Sequence, residues 1–337
     1  MKKSTKIAIY IIVACVVIII GFFIVILNYA ATPINPNGNK AAVIVDIPTG
    51  SSFVKTTEIL NKAGLIKSRF LFYCLAFTKG ATNAFRAGEY QLSDSMTPVE
   101  IIDKLLSREI KLYHIAIPEN LTTKEIAERL VVFKFFDKET FLTLAIDHDF
   151  LNTLGIKAKS IEGYLFPENY IFDSSMDTRL IMKIMVHHFW KRVTPEMMKG
   201  AEELGFDINQ FVTFASIVGK ATDNRAEKPL ISAVFHNRLK KGMRLQSDAT
   251  AVYELENING KITKNHLKRN SPYNTYMISG LPPSPIANPG IDSLNAVLYP
   301  AKVDYLYFVS KGDGSNYFSS SLEMHNRAIN YYRHNKN

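Results

Sequence analysis

The sequence predicts an α+β protein held at a membrane by a single N-terminal transmembrane helix, with a small α+β module ahead of a larger mixed α+β domain. Three observations carry this expectation. Ile7–Leu27 is twenty-one residues without a charge, preceded by three lysines in Met1–Lys6. That matches the roughly 20 apolar residues needed to span a bilayer. Beyond it, short β-like runs alternate irregularly with capped amphipathic helices, an α+β pattern. Finally, Ser271–Gly290 (SPYNTYMISGLPPSPIANPG) packs five prolines and two tyrosines into one stretch. Proline fixes φ and removes a donor, so this cannot be a helix interior or a central strand. It is also too apolar and aromatic for a flexible linker. It reads as a rigid loop, suited either to lining a cleft or to stiffening a connection.

The elements follow in order. The apolar run is longer than the core of a cleaved signal peptide, so it is expected to remain as an anchor. Its lysines hold the start in the cytoplasm, and everything after about Asn28 lies outside. Residues 1–30 form this anchor, and 31–42 (ATPINPNGNKAA) a tether. Val43–Ile47 is a strand, Phe53–Ala63 a helix ending at Gly64, Arg69–Lys79 a second helix and Gly88–Leu92 a strand. Thr97-Pro98-Val99-Glu100 has capping-box spacing with proline at the first helical position. This completes a module over 43–108.

The larger domain, 109–337, begins with a strand at Lys111–Pro118 and a second capping box at Thr122–Glu125. Ser160–Tyr170 (SIEGYLFPENY) is an aromatic loop. Asp177–Gly200 is helical with a break at Thr194-Pro195. Asp207 caps a helix with Phe211, Ala215 and Val218 on one face. Pro229–Leu239 is helical, and a further helix lies near Ser293–Leu298. Strands at Tyr305–Val309 and Tyr317-Phe318 flank a turn at Gly312–Gly314. Ser320–Glu323 caps the last helix.

Composition excludes several functions. The two cysteines, Cys15 and Cys74, are placed too far apart in role to form a disulfide framework. The net charge of +9 is spread without a basic run or an RNA-reading motif, so nucleic acid is not an expected partner. No histidine sits in a ligand spacing, so no metal is expected. There is no G-x-S-x-G elbow, and Ser216 falls inside an apolar helix. Phosphate-loop and dinucleotide fingerprints are lacking, and no cofactor is expected.

What remains is suited to carbohydrate. Glu162 lies in EGYLFP, Gln246 and Asp248 in RLQSDAT, and Tyr273, Asn274 and Tyr276 in SPYNTY. Aromatics stack on sugar faces, while amides and carboxylates bind hydroxyls. Each also has a plain structural reading as a cap or turn former.

Together with ASIV, VFHNRLKKGMRLQSDAT, YLYFVSKGDGSNYFS and HNRAI, these strings resemble the endolytic murein transglycosylase (YceG-like) family over nearly the whole chain. The resemblance implies a LysM-like module at 43–108 and a YceG-like domain at 109–337. It implies a cytoplasmic-membrane protein that cuts nascent peptidoglycan glycan strands near the wall synthases. In that family one glutamic acid protonates the glycosidic oxygen, then takes the proton of the muramic acid 6-hydroxyl as a 1,6-anhydro end closes. With an internal nucleophile, the paired carboxylates of ordinary glycosidases are not both needed.

Here the chain departs from the family. The family string ASIVEKET is ASIVGKAT in this sequence. Gly219 stands at the position of the acid and Ala221 at that of the second glutamate. Neither transfers a proton, and losing a general acid costs about 10²–10⁴ in rate. The fallback acids are Asp223, on the same face if the helix continues, Glu227, which matches a family glutamate of its own, and Glu162. The expectations are therefore a transglycosylase homologue, an inactivated variant, or a non-catalytic glycan-binding scaffold. A peptide- or protein-binding module is a more distant class.

Overall fold

The computed structural model describes residues 3–36, 42–107, 109–133, 135–255 and 262–334. The expected tether at 31–42 lies partly outside these, at 37–41. Two compact units emerge, 1–114 with 171–176, and 115–170 with 177–337.

The first unit opens with helix α1 (Lys3–Ala31). Its Lys6–Ala31 portion holds an 18-residue stretch with a mean hydropathy of 3.4 and is long and apolar enough to cross a membrane. The unit continues with β1 (Val43–Ile47), α2 (Phe53–Lys62), α3 (Arg69–Thr78), β2 (Gly88–Leu92) and α4 (Pro98–Ser107). β1 and β2 pair antiparallel, with Val45 opposite Tyr90. Their inward residues meet Leu60, Phe72, Leu75, Ile101, Ile102 and Leu105 in one core, which Ile26 of α1 joins. The Thr97 box forms: Glu100 accepts from the Thr97 amide at 2.7 Å, and Thr97 accepts from the Glu100 amide at 3.2 Å. Two orphan donors of the helix start are thereby satisfied.

β3 (Leu112–Ala116) pairs with β4 (Asn169–Asp173), and each strand belongs partly to both units. The sequence reading ended its aromatic loop at Tyr170 and did not anticipate β4. Its alternation becomes legible only beside its partner strand.

The second unit is largely helical. It contains α5 (Thr123–Leu130), α6 (Lys138–Leu144), α7 (His148–Thr153), α8 (Thr178–Arg192), α9 (Pro195–Glu203), α10 (Ile208–Ala221) and α11 (Lys228–Lys240). The short α12 (Asp248–Val252) and α13 (Lys264–Leu267) follow, then α14 (Ile291–Leu298), β5 (Tyr307–Ser310), β6 (Asn316–Ser319) and α15 (Leu322–His334). Thr122 forms a capping box at α5, and Asp207 another at α10. Pro195 begins α9 behind its cap Thr194, which divides the long helical stretch where the sequence predicted.

α10 is the centre of this unit and packs on α14 and α11. Every residue from Phe211 to Gly219 is buried. Three consecutive side chains of α11 then tether α14 and the chain beyond it. His236 Nε2 contacts the Val297 carbonyl at 2.9 Å, and the Asn237 amide donates to Val303 and Tyr305 at 2.9 and 3.0 Å. Arg238 donates to Leu306 at 2.7 Å and to Leu245 at 2.9 Å. The HNR string thus fixes both β5 and the RLQSDAT segment against one helix.

Candidate functional site

The proline-rich loop is locked by its own polar residues. Asn274 is fully buried, and its amide donates to the carbonyls of Leu267 at 3.1 Å and Arg269 at 2.7 Å. Its Oδ1 accepts from the Tyr276 amide at 3.0 Å. Expected to meet a ligand, Asn274 is instead spent on shaping the loop. Thr275 ties the loop to RLQSDAT, accepting from the Ser247 amide at 3.0 Å and sharing a hydroxyl contact of 2.7 Å with Thr250. Ser216 of α10 accepts from the Ile286 amide at 3.0 Å. A serine inside an apolar helix therefore serves a loop that is distant in sequence.

Asn288 is the keystone at the far end of that loop. It is 1% exposed, and its Oδ1 accepts from the Gly163 and Leu165 amides at 3.0 and 2.9 Å. Its Nδ2 donates to the Leu121 carbonyl at 3.0 Å and to Glu162 Oε1 at 2.9 Å. Gly163 is required there: its φ is +93°, and a Cβ would come within 2.7 Å of both Pro285 and Val212. Asn288→Ala leaves two amides, a carbonyl and a carboxylate short of a partner. Its chemical-denaturation stability is expected to fall by about 3 kcal/mol, since each buried unpaired group costs about 1–3 kcal/mol. A loss under 1 kcal/mol would show that the network is not structural.

Glu162 is 5% exposed. Its carboxylate accepts from the Thr123 amide at 3.0 and 3.1 Å, from the Tyr253 hydroxyl at 3.0 Å and from Asn288. Burial pushes its pKa up to about 7, while the Thr123 and Tyr253 bonds pull the other way. Burial and the nearby Glu162 charge raise the Tyr253 phenol, which stays protonated as a donor. Tyr273 stacks obliquely on Tyr253 at 4.8 Å and shares a 2.6 Å contact with Ser284. Glu162 and Tyr273 thus belong to one buried assembly.

Gly219 lies in the last turn of α10. A Cβ built there would fall 2.1 Å from Asn120 Oδ1 and 3.1 Å from Ser293 Oγ. Asn120 sits at φ +68°, a left-handed conformation that asparagine tolerates better than most residues. Both polar atoms of its side chain, and Ser293 Oγ, are buried without a hydrogen-bond partner. Such atoms are costly and call for a reason. Two unpaired polar atoms, Asn120 Oδ1 and Ser293 Oγ, thus face a position with no side chain.

Ala221 faces elsewhere. It lines a cavity of about 360 Å³ together with Gln246, Asp248, Tyr276, Asn316 and His325. Gln246 and Asp248 are exposed while Leu245 and Ser247 are buried. Gln246 at φ +51° accepts from Arg238 at 3.2 Å, and Tyr276 donates its hydroxyl to Asp248. The structure therefore gathers Ala221, Gln246, Asp248 and Tyr276 in one cleft, while Tyr273 and Asn274 hold the loop itself and Glu162 the buried network that anchors it.

The fallback acids divide similarly. α10 ends at Ala221, and Thr222 is extended at φ −159°, so Asp223 leaves the helical face and is exposed. Glu227 is 9% exposed and accepts from Asn316 through its amide N–H at 3.0 Å and its side chain at 2.6 Å. Glu162 has its lone pairs engaged as above.

Sequence reasoning passed over Glu119, Asn120, Lys228, Asn288 and Ser293. Lys228 is fully buried and pairs with Glu119 at 2.7 Å. The segments PENLTT and SPIANPG are far apart in sequence, which concealed that they meet: Asn120 N–H donates to the Asn288 carbonyl at 2.8 Å. Among the described residues, no group of three or more His, Cys, Asp or Glu could hold a metal ion.

An α+β chain whose proline-rich loop is built into a glutamate-centred framework beside an amide- and carboxylate-lined cleft is a recognisable class. The model of the YceG-like family matches residues 45–331, and the chain belongs to that family. It is similar to the endolytic murein transglycosylase of Bacillus subtilis (strain 168), with 34% identity over 319 residues, covering 89% of this chain and 87% of that one. The endolytic murein transglycosylase of Streptococcus pneumoniae (strain D39) is 30% identical over 333 residues, covering 88% of this chain. This chain spans 59% of that longer relative. The crystal structure of a YceG-like protein from Listeria monocytogenes superposes with a TM-score of 0.59 at 32% identity, covering 86% of this chain and 99% of that one.

Proposed function

We propose that this chain is a membrane-anchored member of the murein transglycosylase group that holds peptidoglycan glycan strands in the cleft beside α10, and that in this form it holds them without cutting. The names of its relatives support the substrate class. The observation that carries the second half is that Asn120, both of whose side-chain polar atoms are unpaired, and Ser293 Oγ, also unpaired, face Gly219. They suit a carboxylate that would be oriented by an amide and a hydroxyl, and this chain has none there. Were a glutamic acid present, its burial would keep it protonated near neutral pH, ready to protonate a glycosidic oxygen.

In this reading residues 1–30 anchor the chain with its N-terminus in the cytoplasm, 31–42 tether it, and 43–108 form a LysM-like module. The domain 109–337 carries the cleft outside the cytoplasmic membrane, near the wall synthases. Gln246, Asp248 and Tyr276 line the strand, and Asn274 and Tyr273 shape the loop that presents them.

The test incubates the purified protein with uncrosslinked glycan strands, following retention by co-sedimentation and products by mass spectrometry. Retention without 1,6-anhydro ends is expected. Anhydro ends from this sequence would overturn the non-cutting half, and absence of retention the glycan half. Asp248→Ala is expected to weaken retention about tenfold, the effect of losing about 1.4 kcal/mol. Unchanged retention would remove Asp248 from the binding surface.

A further inference from the structure

We propose that the aromatic face of α3 lies in the surface layer of the bilayer crossed by α1, so that the first unit rests on lipid. This inference depends on the anchor reading above and adds a second contact to it.

Phe70, Tyr73 and Phe77 stand at i, i+3 and i+7 and share one face of α3. They are 64%, 46% and 65% exposed, while Phe72, Leu75 and Ala76 on the other face are buried in the core of the unit. Phe53 of α2 meets Tyr73 edge-on at 5.5 Å, and Tyr73 stacks on Phe77 at 6.3 Å. A single exposed apolar residue is ordinary on a soluble surface, but a contiguous patch marks a contact.

Position identifies the occupant. The Phe22 ring of α1 lies 6.4 Å from the Phe70 ring, and the Tyr29 hydroxyl donates to the Ser68 carbonyl at 3.1 Å. The start of α3 is therefore beside the last turns of α1. Phe22 lies about five residues inside the end of the apolar run at Leu27, or about 7.5 Å of helical rise. That depth falls within the roughly 5–10 Å reached by the apolar face of an interfacial helix. The apolar surface runs unbroken from α1 through Phe70 towards Phe77. Exposed Lys67 and Arg69 begin this segment, able to reach lipid headgroups while the rings sit below, and Lys79 at its end pairs with Asp103. A protein partner on this face would have to displace lipid from beside α1.

The experiment uses the full chain in vesicles of phosphatidylcholine and phosphatidylglycerol with brominated acyl chains. Trp190 is the sole tryptophan and gives a constant background. Three variants each add one reporter: Ile18→Trp in α1, Phe77→Trp on α3, and Tyr299→Trp at a 73% exposed site of the second unit. The expected result is an about twofold loss of the added emission for Ile18→Trp and Phe77→Trp, as for rings at acyl depth, with none for Tyr299→Trp. Quenching of Ile18→Trp but not Phe77→Trp would overturn this inference and leave the anchor intact. Quenching of neither would overturn the anchor reading and this one with it. If Phe77→Trp escapes both brominated lipid and aqueous acrylamide, a protein surface covers the face and the lipid assignment is wrong.

Discussion

Gly219→Glu is expected to release 1,6-anhydro ends from glycan strands at least about 10²-fold faster than the parent chain, the lower bound for supplying a general acid. The argument rests on what surrounds position 219. The new Cβ displaces Asn120 Oδ1, which stands 2.1 Å from it. That atom is the end of a short side chain with no hydrogen bond to give up, so rotation about its χ angles clears the space. Asn120 Nδ2 and Ser293 Oγ can then donate to the carboxyl group, which relieves buried groups worth about 1–3 kcal/mol each. Replacing glycine within a helix adds up to about 1 kcal/mol. The variant should therefore be no less stable than the parent, a point that Trp190 emission during urea unfolding can check. Mass spectrometry of the products reads the gain. A folded Gly219→Glu chain that retains strands yet makes no anhydro ends, even when combined with Ala221→Glu, would refute the disarmed-site reading and favour a scaffold.

Glu162 should control how stability depends on pH. Its carboxyl has a pKa of about 7 in the folded chain against 4.5 for an ordinary glutamate, with burial as the main cause. The raised folded value means that the folded state binds more protons between these two values. The contribution is fully present below about pH 4.5 and is lost as pH rises through about 7. At 1.36 kcal/mol per pKa unit, about 3 kcal/mol is at stake. Glu162→Gln should remove this component, because the amide does not titrate and the Tyr253 hydroxyl can reverse to accept from it. Urea midpoints at pH 5 and pH 8, followed by Trp190, should differ more for the parent than for the variant. Equal differences would mean that Glu162 does not titrate in this window. Glu162→Ala, which strands the Thr123 amide, the Tyr253 hydroxyl and Asn288 Nδ2, should cost about 3 kcal/mol or more at either pH.

Much of the local structure was legible because its causes lie within a few residues. The capping boxes at Thr97 and Thr122 were read from four-residue spacings, and both form. Asp207 and Pro195 likewise mark helix starts where they were expected. Segment 171–176 was not legible, since it joins the first unit through partners far away in sequence; Thr49, for instance, donates to the Ser175 carbonyl at 3.4 Å. Asp223 was placed on the α10 face on the condition that the helix continued, and the extended Thr222 ends it first.

The same division holds for the site. Gln246, Asp248 and Tyr276 were identifiable from sequence, and they line one cleft. The division of labour among the polar residues was not visible. Asn274, Glu162 and Asn288 differ little in residue type from ligand-binding groups, and only burial separates those that hold loops from those that meet solvent.

Sequence alone determined the apolar N-terminal helix, the capped helices and the family motifs, and it places a glycine at position 219. These follow from composition and short-range spacing. Tertiary structure decided that Asn288 joins two loops through Glu162, that positions 219 and 221 face different surroundings, and that unpaired polar atoms of Asn120 and Ser293 converge on Gly219. The physical reason is that a buried polar group must find its partner wherever the fold brings one, across any separation in the chain.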